Sequence, residues 1–451
     1  MSESPLHSAL LTDLYELTMA AAYFENKFTQ KASFELFVRS LPKERGYLIA
    51  AGLEQALEYL ENLRFRSEDI AYLRSQPVFQ NVSPAFFEYL KDFRFKGDVW
   101  AVPEGTPVFG EEPLLRVTAP MIEAQVVETF LISTLTFQTM IASKATRVTS
   151  VAQGRPVVEF GSRRAHGPAA GALAARAAFI GGCSGTSNLE AGRRYGIPVF
   201  GTLAHSFVMA YGDEDDAFRR FEQLFPKHSV LLVDTYDTLA AIEKIVRSGL
   251  RPSAVRIDSG DLLEVSKQVR GRLNQGGLSG TQIFASGDLD EFAIADLLAQ
   301  SAPIDAFGVG TALATSKDAP ALSGVYKLVD LESDSGVSYR AKFSEEKTTY
   351  PGRKQVFRFS NSDGAFREDI IACESEKFDD GEPLLSKVME AGTRTGPPTD
   401  LREIQKRAAT EMKKMPAEYT RLRGFEKYPV TFSRHLRALL RAVHKEMVAR
   451  S

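Results

Sequence analysis

The sequence predicts an α/β protein whose middle third is either a β/α barrel or a doubly wound parallel sheet. Seven short apolar runs follow one another between residues 157 and 310, and most of them precede a helix-like stretch. Short continuous apolar runs that alternate with helical patterns are typical of parallel strands covered on both faces. The seven runs are VVEF (157), AAFIGG (177), PVFGTL (198), VLLVD (230), AVRID (254), QIFAS (282) and DAFGVG (305).

The segment before this block has a different texture. Residues 12–95 are predicted to be mainly helical, because LTDLYELTMAAAYF and AAGLEQALEYLENLRF carry apolar residues at a spacing of three to four. Residues 96–118 are expected to form short strands, since Gly and Pro punctuate their apolar runs. One long helix, MIEAQVVETFLISTLTFQTMIASKATRVTSVA, is then predicted to lead into the first strand of the block.

After Tyr326 the pattern returns to strands. YKLVDLE, SYRAKFS and KQVFRFS are predicted strands, and the last two bracket an exposed EEKTTYPG loop. The tail is expected to end in two helices, REIQKRAATEMKKM and SRHLRALLRAVHKEM. Their mixed charges on one side and apolar residues on the other indicate solvated faces of packed helices.

Composition and charge are those of a large enzyme with a buried core. The chain has 451 residues, of which 44% are apolar and 25% charged, and its net charge is −3. Acidic and basic residues are nearly balanced, so the chain lacks the overall positive charge that is typical of proteins that bind nucleic acid or an anionic membrane. The start, MSESPLHSALLTD, lacks the pattern of a signal peptide, and no stretch reaches about 18 uninterrupted apolar residues. We therefore expect a cytoplasmic protein. Cys183 and Cys373 stand far apart without a CxxC motif, which argues against zinc and disulfides.

Polar and glycine-rich residues gather at the ends of the seven runs. In either architecture the chemistry lies at the carboxyl ends of the strands. These ends indicate a ligand that bears both a phosphate and a hydroxyl-rich sugar. In chain order they are Arg163 with Arg164 and His166; 184–187; His205; Asp234; Arg256 with Asp258; 286–288; and 308–311.

Two of these ends predict a phosphate site. Ser286, Gly287 and Asp288 close one run and open a helix-like stretch, and GVGT (308) closes the next run. Glycine lets the backbone approach an anion, and helix N-termini offer unpaired N–H donors. Taken alone, GVGT is typical of a tight turn. Beside the preceding SGD, the phosphate interpretation is favoured.

A second pair of ends predicts contacts with the sugar. On a strand, Arg256 and Asp258 share one face, so an inward Arg would meet an anion and an inward Asp would hold ribose hydroxyls or Mg²⁺. The alternative is that Asp258 caps the following helix. In EFGSRRAHG, strand alternation predicts that Arg163 points inward and Arg164 outward.

His205 is the histidine that the pattern singles out. It follows a strand end that contains Gly and Thr, and Asp234 ends the next strand. Asp234 could hold one ring nitrogen and leave the other free as a nucleophile or acid–base group. The alternative is an ordinary packed histidine.

The ordered motifs TDLYELTMAAAY, EFGSRRAHGP, GTSN, GTLAHSFV, VRIDSGDLL, ASGDLDE and DAFGVGT resemble those of the nicotinate phosphoribosyltransferase family, over at least residues 11–330. This resemblance implies an irregular seven-stranded β/α barrel with a second α/β domain built from both chain ends. The implied domains are 1–145, with the long connecting helix, the catalytic barrel 146–325, and 326–451, which completes the first domain. The implied reaction joins nicotinate to 5-phosphoribosyl-1-pyrophosphate, coupled to ATP hydrolysis, and gives nicotinate mononucleotide. Mg²⁺ would accompany the pyrophosphate, without a metal site built from a cluster of side chains.

The resemblance also implies a role for each motif residue. His205 would accept a phosphoryl group from ATP, with Asp234 as its orienting carboxylate. Arg163 would stabilise the substrate anions, Arg256 would meet nicotinate or its ribosyl partner, and Asp258 would hold the ribose hydroxyls. Phe160 and Tyr15 would sandwich the pyridine ring, with Tyr15 supplied by the neighbouring subunit of a homodimer. Further substrate contacts are expected from Asp13, Ser187, Ser286, Gly287, Asp288, Val309, Gly310 and Thr311.

Ser187 bears on the choice between acid and amide substrates. The related nicotinamide enzymes carry an acidic residue in the GT-x segment, where this chain has Ser187 followed by Asn188. A neutral donor tolerates a carboxylate, whereas aspartate would repel it, so nicotinate is favoured. The alternatives are nicotinamide or quinolinate phosphoribosyltransferase, an aldolase-like barrel, and a catalytically silent sensor. An aldolase-like barrel should show a lysine at a strand end, which these ends lack.

Overall fold

The computed structural model describes residues 8–343 and 348–450, and the chain forms two compact units. The first unit comprises Met1–Thr139 and Ala321–Ser451, and the second comprises Met140–Pro320. The domain limits expected from the sequence, after residues 145 and 325, lie a few residues further along the chain.

The N-terminal part of the first unit is helical with short strands, as the sequence predicts, except for one long strand that the sequence pattern did not reveal. The elements are α1 (Leu14–Glu25), β1 (Lys31–Val38), β2 (Leu48–Ile49), α2 (Leu53–Asn62), α3 (Ser67–Ser75), α4 (Pro84–Lys91), β3 (Asp98–Ala101), β4 (Pro107–Val108), β5 (Pro113–Pro120) and α5 (Met121–Val126). Strand β1 is buried along almost its whole length, and its buried Ser33 and Glu35 interrupt the apolar pattern that would announce a strand.

The long helix predicted after β5 is instead two helices. Helix α5 ends at Val126, and α6 (Glu128–Val151) begins two residues later. The backbone N–H of Thr129 donates to the buried carboxylate of Glu16, 3.0 Å away, so the first turn of α6 is satisfied from α1. Of the described residues, Met121–Val151 has the length and hydropathy to cross a membrane, but 67% of its most apolar window is buried inside the protein.

The second unit alternates strands and helices around a parallel sheet. Its elements after α6 are β6 (Val157–Glu159), α7 (Pro168–Ile180), β7 (Gly185–Thr186), α8 (Leu189–Tyr195), α9 (His205–Ala210), α10 (Glu214–Leu224), β8 (Val230–Leu232), α11 (Thr238–Arg247), β9 (Ala254–Ile257), α12 (Leu262–Gln275), β10 (Gln282–Ala285), α13 (Glu291–Ala299), β11 (Ala306–Val309) and α14 (Thr311–Ala314). The strand order is β7-β6-β11-β10-β9-β8, and every pair is parallel. The α/β class with a parallel barrel-like sheet is confirmed.

Two of the seven predicted strands are corrected. AAFIGG (177) is the end of helix α7 and the turn after it, and the strand of this region is β7. Residues from Ala174 to Ile180 are all buried, so their pattern has no polar face that would reveal a helix. PVFGTL (198) forms only a single bridge, between Val199 and Thr186; Val199 directly follows Pro198, and Gly201 comes two residues later. The sheet thus has six strands and one bridging residue.

The C-terminal part completes the first unit with antiparallel sheets. Its elements are β12 (Gly324–Ser333), β13 (Gly336–Tyr339), β14 (Lys354–Ser360), β15 (Phe366–Cys373), β16 (Glu382–Pro383), β17 (Ser386–Glu390), β18 (Thr393–Arg394), α15 (Leu401–Lys414), α16 (Ala417–Thr420), β19 (Val430–Phe432) and α17 (Arg434–Arg450). The largest sheet has the order β13-β12-β1-β5-β3-β17-β18, so strands from both chain ends pair directly. A second α/β domain built from both ends is thereby confirmed. Residues 344–347, in and before the predicted EEKTTYPG loop, and residues 1–7 of the predicted start lie outside the described residues.

Candidate active site

A guanidinium stands at the centre of the strand ends of the second unit. Arg256, in β9, donates from Nε to Ser286 Oγ at 2.7 Å and from Nη1 to Thr202 Oγ1 at 2.8 Å. Its Nη2 lies 2.5 Å from Asp258 Oδ1. Arg256 and Asp258 therefore share one face of the strand, as the sequence predicts, and they meet Ser286 after β10 and Thr202 in the loop after the Val199 bridge.

Asp258 is held as a carboxylate by these neighbours. Burial would raise its pKa, but hydrogen bonds from Ser286 and Arg256 and the positive charge of Arg256 lower the pKa below its usual value. The alternative reading of Asp258 as a helix cap is wrong, because Asp261 accepts the N–H groups of Leu263 and Glu264 at the start of α12. Asp258 is thus an ionised acceptor at the mouth of the sheet, which suits hydroxyl groups.

Asp234 supports the loop that carries Asp258. Its Oδ2 accepts the backbone N–H of Asp258 at 3.0 Å and the hydroxyl of Ser259 at 2.5 Å. Its Oδ1 is buried and has no hydrogen-bond partner among the described residues. One oxygen is therefore committed to the loop, and the other is open to a ligand that brings its own donor or positive charge.

His205, the first residue of α9, contacts Thr235 and not Asp234. Its Nδ1 lies 3.1 Å from Thr235 Oγ1, and this is its hydrogen-bond partner among the described residues. The sequence-based expectation that Asp234 orients the ring is corrected. Adjacent residues at a strand end point their side chains in different directions. Here Thr235 faces the imidazole, and Asp234, the residue before it, does not. Because Nδ1 is engaged, Nε2 is the free nitrogen.

Phe160 provides an aromatic face beside Arg256. Its ring is partly buried, lies 5.5 Å from the ring of Phe284, and faces the Arg256 guanidinium at 5.6 Å. A Cβ at Gly308 would come within 2.7 Å of the Phe160 ring. Gly308 therefore makes room for the Phe160 ring. This packing explains why glycine stands here without any need for an anion to approach its backbone.

The glycines of the two predicted phosphate loops are under different constraints. Gly287 has φ +111°, and a Cβ there would lie 2.6 Å from the carbonyl oxygen of Asp258. Gly310 has φ −107°, and a Cβ there would lie 3.3 Å from the carbonyl oxygen of Phe160. Ser286 and Val309 are buried, Gly287, Gly310 and Thr311 are partly exposed, and Asp288 is exposed.

The start of helix α13 is already capped. Asp290 accepts the backbone N–H groups of Phe292 and Ala293 at 3.0 and 2.9 Å. The sequence-based expectation that this helix N-terminus offers its unpaired amides is corrected, because a side chain occupies them. Any anion here would meet the loop 286–288 and not the first turn of the helix.

Arg163 and Arg164 are both exposed, so the expected inward and outward alternation is wrong. Strand β6 ends at Glu159, and the backbone N–H of Arg164 donates to Gly161 in a turn, where alternation does not apply. Arg163 is an exposed cation in the turn that follows β6, and His166 is also exposed.

Ser187 lies at the end of β7 and is exposed. Its backbone N–H donates to Glu159, and the next residue, Asn188, caps α8 and donates to Ser162 Oγ at 3.1 Å. Beneath it, buried Glu159 accepts the Thr186 hydroxyl at 2.6 Å and the Gly161 N–H. Burial raises the pKa of Glu159. This acid braces two strand ends against each other.

Asp13 and Tyr15 belong to the first unit. Asp13 precedes α1 and accepts the Thr129 hydroxyl at 2.9 Å, and Tyr15 is 46% exposed on that helix. Burial and the charge of Glu128 raise the pKa of Tyr15. Their roles toward the substrate remain predictions.

Sequence reasoning missed Thr202, Thr235, Ser259 and Glu159 as parts of this site. The first three stand within three residues of a residue that the sequence did single out, and that proximity was the available signal. Hydroxyl side chains occur throughout loops, so their role emerges only from the contacts they make. Glu159, within an apolar run, carried the signal of an acid that must be buried.

The fold and the site define a class before any comparison. A parallel β/α sheet with a carboxylate, a guanidinium, a histidine and two glycine loops at its carboxyl edge is typical of an enzyme that binds a phosphorylated substrate. Comparisons with known proteins narrow this class. Residues 10–136 match the nicotinate phosphoribosyltransferase N-terminal domain, residues 141–319 the quinolinate phosphoribosyl transferase C-terminal domain, and residues 378–440 the nicotinate phosphoribosyltransferase C-terminal domain.

Individual proteins agree. Nicotinate phosphoribosyltransferase pncB2 of Mycobacterium tuberculosis is 50% identical over 86% of this chain and 82% of its own. Nicotinate phosphoribosyltransferase of Bacillus subtilis is 40% identical, covering 94% and 93%. The crystal structure of human nicotinic acid phosphoribosyltransferase has a TM-score of 0.83 at 28% identity, covering 96% and 99%. This chain belongs to the nicotinate phosphoribosyltransferase family.

Proposed function

We propose that this enzyme joins nicotinate to 5-phosphoribosyl-1-pyrophosphate, with hydrolysis of ATP, and forms nicotinate mononucleotide, pyrophosphate, ADP and phosphate. The product is the first intermediate on the route from nicotinate to NAD. The single observation that carries the proposal is the hydrogen-bonded set of Arg256, Asp258 and Ser286 at the carboxyl edge of the sheet, in a chain of this family. A cytoplasmic location follows from the need for intracellular ATP.

The sugar and its 5-phosphate fit the strand ends of β9, β10 and β11. Asp258 is an ionised acceptor and would take the ribose hydroxyls. Backbone amides of Gly287, Val309 and Gly310 would bind the phosphate, with contributions from Ser286, Asp288 and Thr311. Displacement at the anomeric carbon develops positive charge on the sugar ring, so the enzyme needs positioning and electrostatics more than a strong base.

The pyridine ring fits the face of Phe160. Arg256 lies on the same face, where it would meet the nicotinate carboxylate or the ribosyl group, although Asp258 compensates part of its charge. Arg163 would stabilise the substrate anions from the exposed edge. Ser187 would lie beside the ring substituent, where a hydroxyl tolerates a carboxylate and an aspartate would not.

His205 would accept the phosphoryl group of ATP. The lone pair of Nε2 attacks the γ-phosphorus, the bond to the bridging oxygen breaks, and ADP leaves with the bonding electrons. Thr235 holds Nδ1, and its hydroxyl oxygen can accept a hydrogen bond from the N–H that Nδ1 carries in the phosphorylated state. Water later takes the phosphoryl group, which regenerates the imidazole and releases phosphate.

Mg²⁺ fits this site as a companion of the substrate phosphates. Within the described residues, no group of three or more His, Cys, Asp or Glu side chains is arranged to hold a metal ion. The buried Oδ1 of Asp234 has no hydrogen-bond partner there and could supply one ligand. A single carboxylate oxygen suits a Mg²⁺ ion that is held mainly by phosphates and water. The bound ion would neutralise the charge of the leaving pyrophosphate.

We also propose a homodimer in which Tyr15 reaches the site of the neighbouring subunit. Three apolar side chains at the start of α1 are exposed in the single chain, with Leu11 at 41%, Leu14 at 55% and Tyr15 at 46%. Neither Tyr15→Ala nor His205→Ala alone should show ATP-stimulated transfer, and mixing the two chains should restore it if each site needs residues from both chains. Independent sites would show no such restoration.

Substitution of His205 tests the ATP coupling. His205→Ala should abolish ATP stimulation and leave a slow transfer that does not need ATP, because the imidazole is not the group that activates nicotinate. Acid-labile phosphate from γ-labelled ATP should appear on wild type only. Equal labelling of the variant would eliminate His205 as the acceptor.

A further inference from the structure

A buried lysine outside the site joins the segments that follow both phosphate loops. Lys144, in α6, has a side chain that is 2% exposed. Its Nζ lies 2.6 Å from Glu291 Oε2 and 2.7 Å from Asp318 Oδ1. All three residues belong to the second unit.

The two carboxylates lie in the segments that follow two neighbouring strands, β10 and β11. Glu291 is the first residue of α13, immediately after the loop that contains Ser286 and Gly287. Asp318 follows the short helix α14, after Gly310. Strands β10 and β11, from which the two loops emerge, are adjacent and parallel. One ammonium group therefore ties together the exits of the two loops.

Burial makes this connection strong. The Glu291 side chain is fully buried and that of Asp318 is 16% exposed. Removal of Lys144 takes away the cation that Glu291 and Asp318 share, and Arg147, which contacts Glu291, is not shown to reach Asp318. The elements that would move first are those attached to the two loops.

We propose that Lys144 is a positioning residue that fixes the spacing between the loop 286–290 and the segment 310–317, which contains the short helix α14. The loops then present their amides to one phosphate at the same time. This role rests on the proposed function of the loops as the 5-phosphate site. Lys144 acts through Glu291 and Asp318 and has no contact with the substrate in this account.

Arg147 is a matched control. It stands one helical turn further along α6, its side chain is also 2% exposed, and its Nε lies 2.9 Å from Glu291 Oε1. It pairs with the same glutamate, which follows the loop 286–290, whereas Lys144 also contacts Asp318 after α14. A general loss of stability in this region should therefore follow from either substitution, whereas a change in loop spacing should follow from Lys144 only.

Steady-state kinetics test the proposal. Lys144→Met should raise KM for 5-phosphoribosyl-1-pyrophosphate by about tenfold or more and change KM for nicotinate by less than about twofold. Lys144→Arg should restore most of the affinity, since it keeps a cation with two donors in reach. Arg147→Met should lower the melting temperature without this selective rise in KM. A folded Lys144→Met protein with unchanged KM, or an equal rise in Arg147→Met, overturns the proposal.

Hydrogen exchange gives a readout that does not depend on turnover. In Lys144→Met, amides of 286–290 and 310–317 should lose protection together, whereas amides of 258–261 should not change. If Lys144→Met does not fold, Asp318→Asn serves in its place, with the same expectation. If wild type shows no transferase activity but Lys144→Met still loses protection in both segments, the proposed function is refuted and the positioning role stands. Unchanged protection in both segments refutes the positioning role.

Discussion

Replacement of Arg256 by lysine keeps the positive charge at the centre of the site but removes its geometry. The guanidinium donates to Ser286, Thr202 and Asp258 from three different nitrogens, at 2.7, 2.8 and 2.5 Å. A lysine ammonium is a compact point charge on a flexible stem, and it cannot reach three acceptors that are arranged around a planar guanidinium. We expect Arg256→Lys to keep one of these hydrogen bonds and lose two.

The size of the effect follows from the partly buried setting. The side chain of Arg256 is 13% exposed and that of Asp258 is 31% exposed, so solvent screens part of each interaction. Hydrogen bonds to charged groups contribute about 1.5–3 kcal/mol, and solvent screening brings these just below that range, to about 1–1.5 kcal/mol each, so the loss of two costs about 2–3 kcal/mol. This free-energy cost corresponds to a loss of about 30- to 150-fold in kcat/KM for 5-phosphoribosyl-1-pyrophosphate.

Initial rates at varied 5-phosphoribosyl-1-pyrophosphate and saturating nicotinate give this ratio. Arg270→Lys is the control, because Arg270 also makes three hydrogen bonds, to Ser279, Thr281 and Asp305, but at the amino end of β10. It should lose stability and keep its kinetics. A value of kcat/KM in folded Arg256→Lys within about threefold of wild type would refute the view that this guanidinium organises the site.

Three further predictions address the histidine, the phosphate loop and a buried acid. Thr235→Val removes the partner of His205 Nδ1 and should slow phosphorylation of His205 by about tenfold while phosphoryl-independent transfer persists; an unchanged labelling rate in rapid quench would exclude this role. Gly310→Val places a branched side chain where Cβ already lies 3.3 Å from a carbonyl oxygen, and should raise KM for 5-phosphoribosyl-1-pyrophosphate about tenfold; unchanged binding in calorimetry would contradict it. Burial raises the pKa of Glu16 from 4.5 to about 7, so the folded protein binds a proton that the unfolded chain releases, and stability falls as pH rises from about 4.5 to about 7. Glu16→Gln should remove that slope and unfold at a higher temperature than wild type at pH 8; parallel curves for the two proteins would count against it.

The strand pattern could predict the fold class and the place of the site because each depends on a local regularity. Apolar runs at β6, β8, β9, β10 and β11 are short and bounded by polar turns, and all five form strands. Arg256 and Asp258 lie two residues apart at a strand end, so alternation alone places them on one face. Their observed contact at 2.5 Å agrees with this.

The remaining features depend on contacts between segments that are distant in the sequence. AAFIGG is apolar on every side because α7 is buried all round, and such a helix has no period to read. Asp234 and Thr235 are adjacent in the chain, and only the position of α9 decides which of them meets His205. The capping of α13 by Asp290 likewise decides that an anion would meet the loop and not the helix. Alternation failed for Arg163 because the strand ends four residues before it.

The most direct test of the central claim is a competition among pyridine substrates. The enzyme is incubated with 5-phosphoribosyl-1-pyrophosphate, ATP, Mg²⁺ and equal concentrations of nicotinate, nicotinamide and quinolinate, and the mononucleotides and pyrophosphate are quantified by mass spectrometry. We predict that nicotinate mononucleotide is the dominant product and that pyrophosphate forms in equal amount. In Ser187→Asp the product ratio should move toward nicotinamide mononucleotide. Dominance of nicotinamide or quinolinate products in wild type, or no mononucleotide at all, would contradict the account.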